Sequence, residues 1–300
     1  MRKRLEATQD AGQITSAFKL VRMPPHVFFC VSAVFHYLGP ACAVLLFARL
    51  EPRGVAWLRI AAAAICFALW RRPWRTIGAL SAAERCQIIA MGCVLAAMNA
   101  SFYLAISRLP LGAVGAIEFI GPIGLAAAGA RCRRNWIALL LAIAGIGLLT
   151  DLRLVEQWLG YVFAVANCLL FVLYIVLGHR LAATGGVAGI DRLAMGMMVA
   201  MLAALPVGIN EALPAFIHLP LLLAAIGVGI ASSVIPYVCD QLAMARLPRA
   251  TFALFLSLLS ALATVMGIVV LRQIPSMIEV GGIALVVAGV ALHRPDAGCR

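Results

Sequence analysis

Charge is what this sequence of 300 residues has least of. Its 24 Lys and Arg and 12 Asp and Glu make up 12% of the chain, where soluble domains carry ~25%. Lysine is almost absent, with only Lys3 and Lys19. Hydrophobic residues reach 64%, against ~45–50% in soluble domains, and the mean hydropathy is +1.03. So few charges cannot give a folded chain of 31.8 kDa a surface fit for water. That excludes a soluble enzyme, a disordered protein and a disulfide scaffold. Other absences narrow the field. No HExxH or GxSxG occurs and the five histidines are scattered, so hydrolytic chemistry has no foothold. The Walker pattern is missing, which removes ATP as an energy source. None of the nine cysteines forms a CxxC pair. Seven of them (Cys30, Cys42, Cys66, Cys86, Cys93, Cys168, Cys239) sit in or beside apolar runs, as small hydrophobes do. No cofactor and no metal is expected. The net charge of +12 would suit nucleic acid, but no basic stripe with interleaved aromatics accompanies it.

What is present is a series of long apolar runs. A helix needs about 20 apolar residues to cross ~30 Å of hydrocarbon. Candidates lie near 26–48, 54–70, 86–106, 110–130 and 135–150, then 158–178, 191–209, 219–243, 250–271 and 277–293. The runs are continuous rather than alternating, so helices are expected, not barrel strands. Residues 1–24 hold Arg2, Lys3, Arg4, Lys19 and Arg22 with no apolar core, and read as a cytoplasmic tail. Basic residues in alternate loops divide seventeen to five in favour of the side bearing that tail. Arg59 and Arg192 are left out of the count because they read as first-turn residues. Cytoplasmic loops collect Lys and Arg, so both termini are expected in the cytoplasm of a bacterial-type inner membrane. The organisation expected is an all-α integral membrane protein with ten transmembrane helices. Its parts are the N-terminal tail 1–24, helices 1–5 over 25–150, helices 6–10 over 151–293 and a C-terminal tail 294–300.

The sequence repeats. RLPLGAVGAIEFIGPIGLAAAGA begins at Arg108 and RLPRATFALFLSLLSALATVMGI at Arg246, with Gly129 and Gly267 at the same offset. Downstream, IAGIG at 143–147 matches VAGVA at 287–291. Upstream, Gly54-Val55-Ala56 with Arg59 echoes Gly186-Val187-Ala188 with Arg192. Each copy holds five spans, and because five is odd the second must lie upside down. Two inverted five-helix repeats are the build of secondary transporters, with a substrate site near the midplane.

Glu118 stands out. It lies eight residues past Pro110 and eleven before Gly129, which is ~12 Å from the nearer helix end. A charge there costs at least ~2.5–3.5 kcal/mol and is retained for use. Pro122, four residues on, has no N–H, so the Glu118 carbonyl loses its helical partner. His36 and Pro40 repeat that spacing, and an imidazole titrates in a useful range. Ser232 and Pro236 repeat it again, followed by Tyr237, Asp240 and Gln241. Asp240 reads as a residue reaching the interface near its helix end. Ser257, Ser260 and Thr264 share one face of the ninth run and could line a polar cavity or pack helices closely. Gly185 and Gly189 form a GxxxG that reads as loop.

The passages MNASFYLAISRLPLGAVGAIEFIGPIG (98–124) and VIPYVCDQLAMARLPRATFALFLSLLSALATVMGIVVLR (234–272) resemble the EamA-type drug/metabolite transporters. Within that superfamily the likeness is to the inner-membrane threonine/homoserine exporters, over roughly 30–293. The resemblance implies efflux of a small polar metabolite, an amino acid such as threonine or homoserine, by proton antiport. It also implies cavity-lining roles for Asn99 and Tyr237 and an acidic residue at Asp240. Two departures stand against it. Leu259-Ser260 occupies the place of a Glu-Pro pair, and Arg272-Gln273 that of a Gly-Glu pair. Efflux of another metabolite or an amphipathic drug, or a non-transporting scaffold or sensor, are the alternative readings. The expected partners are a small-molecule substrate, protons and the lipid bilayer.

Overall fold

The computed structural model describes residues 25–292 apart from 76, 129–132, 150–153, 184–185, 248–251 and 253–257. Both tails, Gly129, Gly185 and Ser257 lie outside the described residues. The helices follow as α1 (Pro25–Leu46), α2 (Pro52–Arg71), α3 (Ala82–Ile106), α4a (Leu111–Glu118), α4b (Ile120–Ala128) and α5 (Arg133–Leu149). The second half holds α6 (Leu154–Ala182), α7 (Gly186–Ile217), α8 (Leu219–Met244), α9 (Leu258–Leu271) and α10 (Met277–Leu292). Among the described residues there is no strand. Five helices, α2, α3, α6, α7 and α8, are long and apolar enough to cross a membrane. The helical parts of α1, α4, α9 and α10 are apolar but shorter.

Local signals set the ends. Pro52 occupies the first turn of α2, where its missing N–H costs nothing. Ser81 and Glu84 form a capping box at α3: the Glu84 carboxylate accepts from the Ser81 N–H at 2.9 Å, and the Ser81 hydroxyl accepts from the Glu84 N–H at 3.3 Å. Ser276 and Glu279 repeat the device at α10. Three boundaries differ from expectation. The seventh run, expected to end at 209, stays helical to Ile217, because Ala212 and Ala215 are fully buried and Glu211 pairs with Arg53 at 2.9 Å. Gly189, expected in a loop, belongs to α7. The fourth run is two helices, parted at Phe119.

The packing exchanges partners between the halves. Helix α1 packs on α8 as α6 packs on α3; α1 meets α9 as α6 meets α4a; α2 meets α8 as α7 meets α3. Three further contacts pair like with like: α2 with α7, α4a with α9, α5 with α10. Two of these like pairs run antiparallel. Arg53–Glu211 closes one end of α2/α7, and Arg71–Asp191, at 2.6 Å, closes the other. In α5/α10, Arg134 donates to the Leu292 carbonyl at 2.8 Å, while Gly145 lies against Gly282. Glycine is what lets such pairs close: a Cβ on Gly54 would sit 2.5 Å from the Glu211 carbonyl oxygen. Large side chains such as Leu45, Ile65, Leu69, Leu169, Leu202 and Val269 point outward. The interior instead holds alanines, aromatics and a set of polar groups, the distribution a bilayer asks for.

Candidate functional site

The site begins at the break in α4. Leu111–Glu118 ends at Phe119, whose backbone (φ −85°, ψ −5°) sits in a turn, and Ile120–Ala128 resumes the helix. Pro122 stands in the first turn of the resumed segment, where its ring is tolerated and the Glu118 carbonyl has no amide four residues on. Glu118 is buried, and each carboxylate oxygen accepts one hydrogen bond. The Tyr37 hydroxyl of α1 donates to Oε2 at 2.7 Å, and the Asn167 amide of α6 donates to Oε1 at 2.9 Å. Three helices therefore converge on one carboxylate.

Across from it lies a residue the sequence reading set aside. Arg59 is the eighth residue of α2, two turns inside the helix rather than in its first, and only 4% exposed. Its Nε donates to the Ser233 hydroxyl at 2.8 Å and its Nη2 to the Ser232 carbonyl at 2.7 Å. That carbonyl is free because Pro236, four residues later, brings no N–H. Helix α8 makes a π-turn over Ile230–Val234 at this place, the local widening by which a helix accommodates such a defect. The guanidinium also stacks 5.4 Å over the Tyr103 ring. The groups that it touches, two serines and a tyrosine ring, are all neutral.

His36, Pro40, Arg59, Met98, Asn99, Phe102, Glu118, Asn167 and Tyr237 enclose one cavity of about 20 Å³, room for about one water. Asn99 donates to the Leu95 carbonyl at 2.7 Å and to the Tyr237 hydroxyl at 3.4 Å. His36 is buried, its Nδ1 without a hydrogen-bond partner. Its ring lies 5.4 Å from Tyr37 and 6.1 Å from Phe171. Of the residues expected at a site, His36, Asn99, Glu118 and Tyr237 thus come together.

Asp240 lies apart. It does not reach the surface as expected: it is 1% exposed and accepts from the Ser32 hydroxyl at 2.6 Å, because α1 packs over this turn of α8. Its second oxygen has no hydrogen bond, and the Tyr174 hydroxyl lies beside it. A run of ring contacts, Tyr37–Phe119–Phe171–Tyr174–Tyr237, spaced 5.6–6.4 Å, links the two carboxylates. Ser260 belongs to α9. Tyr37, Asn167 and Ser32 were invisible in the sequence as site residues. Arg59 was legible, since Pro52 marks the helix start and places it deep in an apolar run.

A second, larger cavity of about 720 Å³ opens where α4a, α9 and α10 meet, lined by Arg108, Pro110, Gly112, Thr264, Gln273 and Glu279. Gln273 accepts from the Leu111 N–H at 3.3 Å, satisfying an open amide at the start of α4a. Between this vestibule and Glu118 the α4a–α9 seam is thin. A Cβ on Gly112 would lie 3.0 Å from Thr264 Oγ1, and one on Gly115 would lie 2.6 Å from Ala263 Cβ and 3.0 Å from the Tyr37 hydroxyl.

Comparisons with known proteins agree with this architecture. The EamA-like transporter family matches residues 158–293. Threonine/homoserine exporter RhtA of Escherichia coli strain K12 is 30% identical over 276 residues, covering 90% of this chain and 92% of that protein. RhtA of Salmonella typhimurium strain LT2 is 30% identical over 254 residues, 83% of this chain and 84% of that one. A protein known from its crystal structure superposes with a TM-score of 0.60 at 19% identity, over 89% of this chain and 95% of that chain, which shows a shared fold. With that identity sustained along nearly the whole membrane part, the chain belongs to the EamA-like transporters, membrane proteins that carry small molecules across a bilayer and are not enzymes.

Proposed function

We propose that this protein is a secondary active exporter of a small polar metabolite, an amino acid such as threonine or homoserine, moved outward in exchange for protons. The observation that carries this reading is Glu118, a carboxylate held by Tyr37 and Asn167 at a small cavity beside a broken helix. A carboxylate so placed can hold a proton or a substrate ammonium in turn, which is the exchange an antiporter needs. The polar lining favours a small polar cargo over an amphipathic drug.

The reading includes ten helices in two inverted repeats, over 25–150 and 151–293, with both tails in the cytoplasm and the chain in the inner membrane. The antiparallel α2/α7 and α5/α10 pairs and the exchange of packing partners support the inversion. Alternating access then opens the α4a–α9 seam toward the vestibule in one state and closes it in the other.

Transport of a labelled amino acid panel in proteoliposomes, with and without an imposed pH gradient, tests the function. Export of threonine or homoserine accelerated by the gradient is expected; transport indifferent to the gradient would remove proton coupling. Reporters at His218 and after Arg300 test the topology. They are expected on opposite sides of the membrane, and finding both on one side would end the ten-span arrangement.

A further inference from the structure

We propose that Arg59 is the residue that reads the carboxylate of a zwitterionic substrate, with Glu118 across the same cavity taking its ammonium. This deepens the export reading above and rests on it.

The first support is where the charge is put. A buried cation is costly unless its charge is balanced, and its net worth to stability is doubtful even when paired. Arg59 has no carboxylate in contact and feels Glu118 only across the cavity. Its partners are the Ser233 hydroxyl, the Ser232 carbonyl and the Tyr103 ring, and no carboxylate among the described residues lies within 4.0 Å of it. A mere brace for the Ser232 carbonyl could be made with a neutral donor at far lower cost. The second is orientation. Two of the five N–H groups of the guanidinium bond Ser233 and Ser232, the Tyr103 hydroxyl lies beside it, and the side chain lines the cavity. A planar fork with donors to spare is the group that binds carboxylates through two parallel hydrogen bonds.

The third is the opposite wall. Glu118 lines the cavity too, and its oxygens are steadied by Tyr37 and Asn167 rather than neutralised by a cation. A positive and a negative group lining one small cavity, without touching, match the charge pattern of an α-amino acid. Asn99, Asn167 and Tyr237 supply neutral hydrogen-bonding groups between them. The cavity holds about one water, so a substrate needs the halves to part before it can occupy it. Arg59 is well placed to sense that. It lies on α2 while Ser232 and Ser233 lie on α8, and a substrate carboxylate would compete with the Ser232 carbonyl for the same guanidinium.

The test is competition against labelled L-threonine export in proteoliposomes, using L-threonine, its methyl ester and threoninol. On the wild type, the two compounds lacking a carboxylate should need at least about 10-fold higher concentration than threonine, a ratio of ~1.4 kcal/mol. Arg59→Lys keeps the charge but loses the fork. It should raise half-saturation for threonine by about 10-fold and leave the ester and threoninol within about 2-fold. A merely structural brace would not discriminate between these ligands. Equal competition by threonine and its ester on the wild type overturns the anchor and leaves amino acid export standing. Arg59→Lys weakening all three ligands alike also overturns it. If Arg59→Lys fails to fold, the wild-type panel decides alone. If no amino acid of the labelled panel is transported, with or without a pH gradient, the export reading and the anchor end together.

Discussion

Arg59 and Arg192 follow the matching Gly-Val-Ala blocks of the two halves at five and six residues from the glycine, and the fold puts them to different uses. Arg59 is buried against α8 and lines the central cavity. Arg192 stands at the end of the bundle and pairs with Glu84 at the start of α3. The same divergence marks the broken helix and its counterpart. Glu118 gives α4 a buried carboxylate and a break, whereas the described part of α9, Leu258–Leu271, carries a fully buried Leu259 where the resemblance leads one to expect an acid. The first half supplies the charges at the centre. The second supplies a freed carbonyl, two hydroxyls, Asn167 and Tyr237 around them. Duplicated helices can therefore keep their packing while concentrating chemistry in one copy, because packing needs small apolar surfaces and chemistry needs a single well-held group.

The comparison can be broken most severely at Glu118. Glu118→Gln keeps the shape and both hydrogen-bonding positions but cannot release a proton. Gradient-driven export in everted vesicles should fall by about 100-fold, the ratio for ~2.7 kcal/mol, with the amount of folded protein unchanged. Export at the wild-type rate would reduce Glu118 to a strut between α1 and α6.

Leu259→Glu tries to restore the symmetry from the other side. The position is fully buried, and a carboxylate without a prepared partner there costs about 2.5–3.5 kcal/mol. The variant should yield much less monodisperse protein in detergent, with a lower unfolding temperature. Normal yield and stability would mean that the second copy still keeps an acid-ready site.

Pro122→Ala probes the break alone. A restored amide can bond the Glu118 carbonyl and mend the helix, so transport should drop by about 10-fold while insertion and folding persist. Wild-type transport would make the break incidental. The mildest change is Arg192→Gln. It removes a partly exposed ion pair worth at most about 1 kcal/mol, so transport should stay within about 2-fold. A loss as large as that at Glu118 would erase the contrast between the halves.

How far the sequence could be read follows from what each residue costs. Glu118 and the Pro122 break were legible because a carboxylate or a proline inside an apolar run is expensive and invites a reason. Tyr37 and Asn167 carry no such signature. A tyrosine or asparagine sits in many membrane helices, and these two matter only because α1 and α6 close on α4 from far along the chain. Arg59 was missed through a boundary error, the helix being taken to start two residues after Pro52. Asp240 was misread for a related reason: distance from a helix end foretells the interface only if no neighbour covers it, and Ser32 of α1 does. Gln273 shows the converse. Where the resemblance leads one to expect an acid, a neutral amide accepts from the Leu111 N–H, a bond that needs an oxygen but no charge.

The two ion pairs that close α2 and α7 have a mechanical consequence. Arg53 and Arg71 are eighteen residues apart on one helix, about 27 Å, and each is fastened to the same neighbour. A rod pinned to another at both ends cannot slide along it by even one turn without releasing both pins. It can still roll. A rearrangement of the bundle that spares these bonds carries α2 and α7 as one unit, and the helices not packed on that unit, α5 and α10 among them, can shift relative to it without breaking either pair.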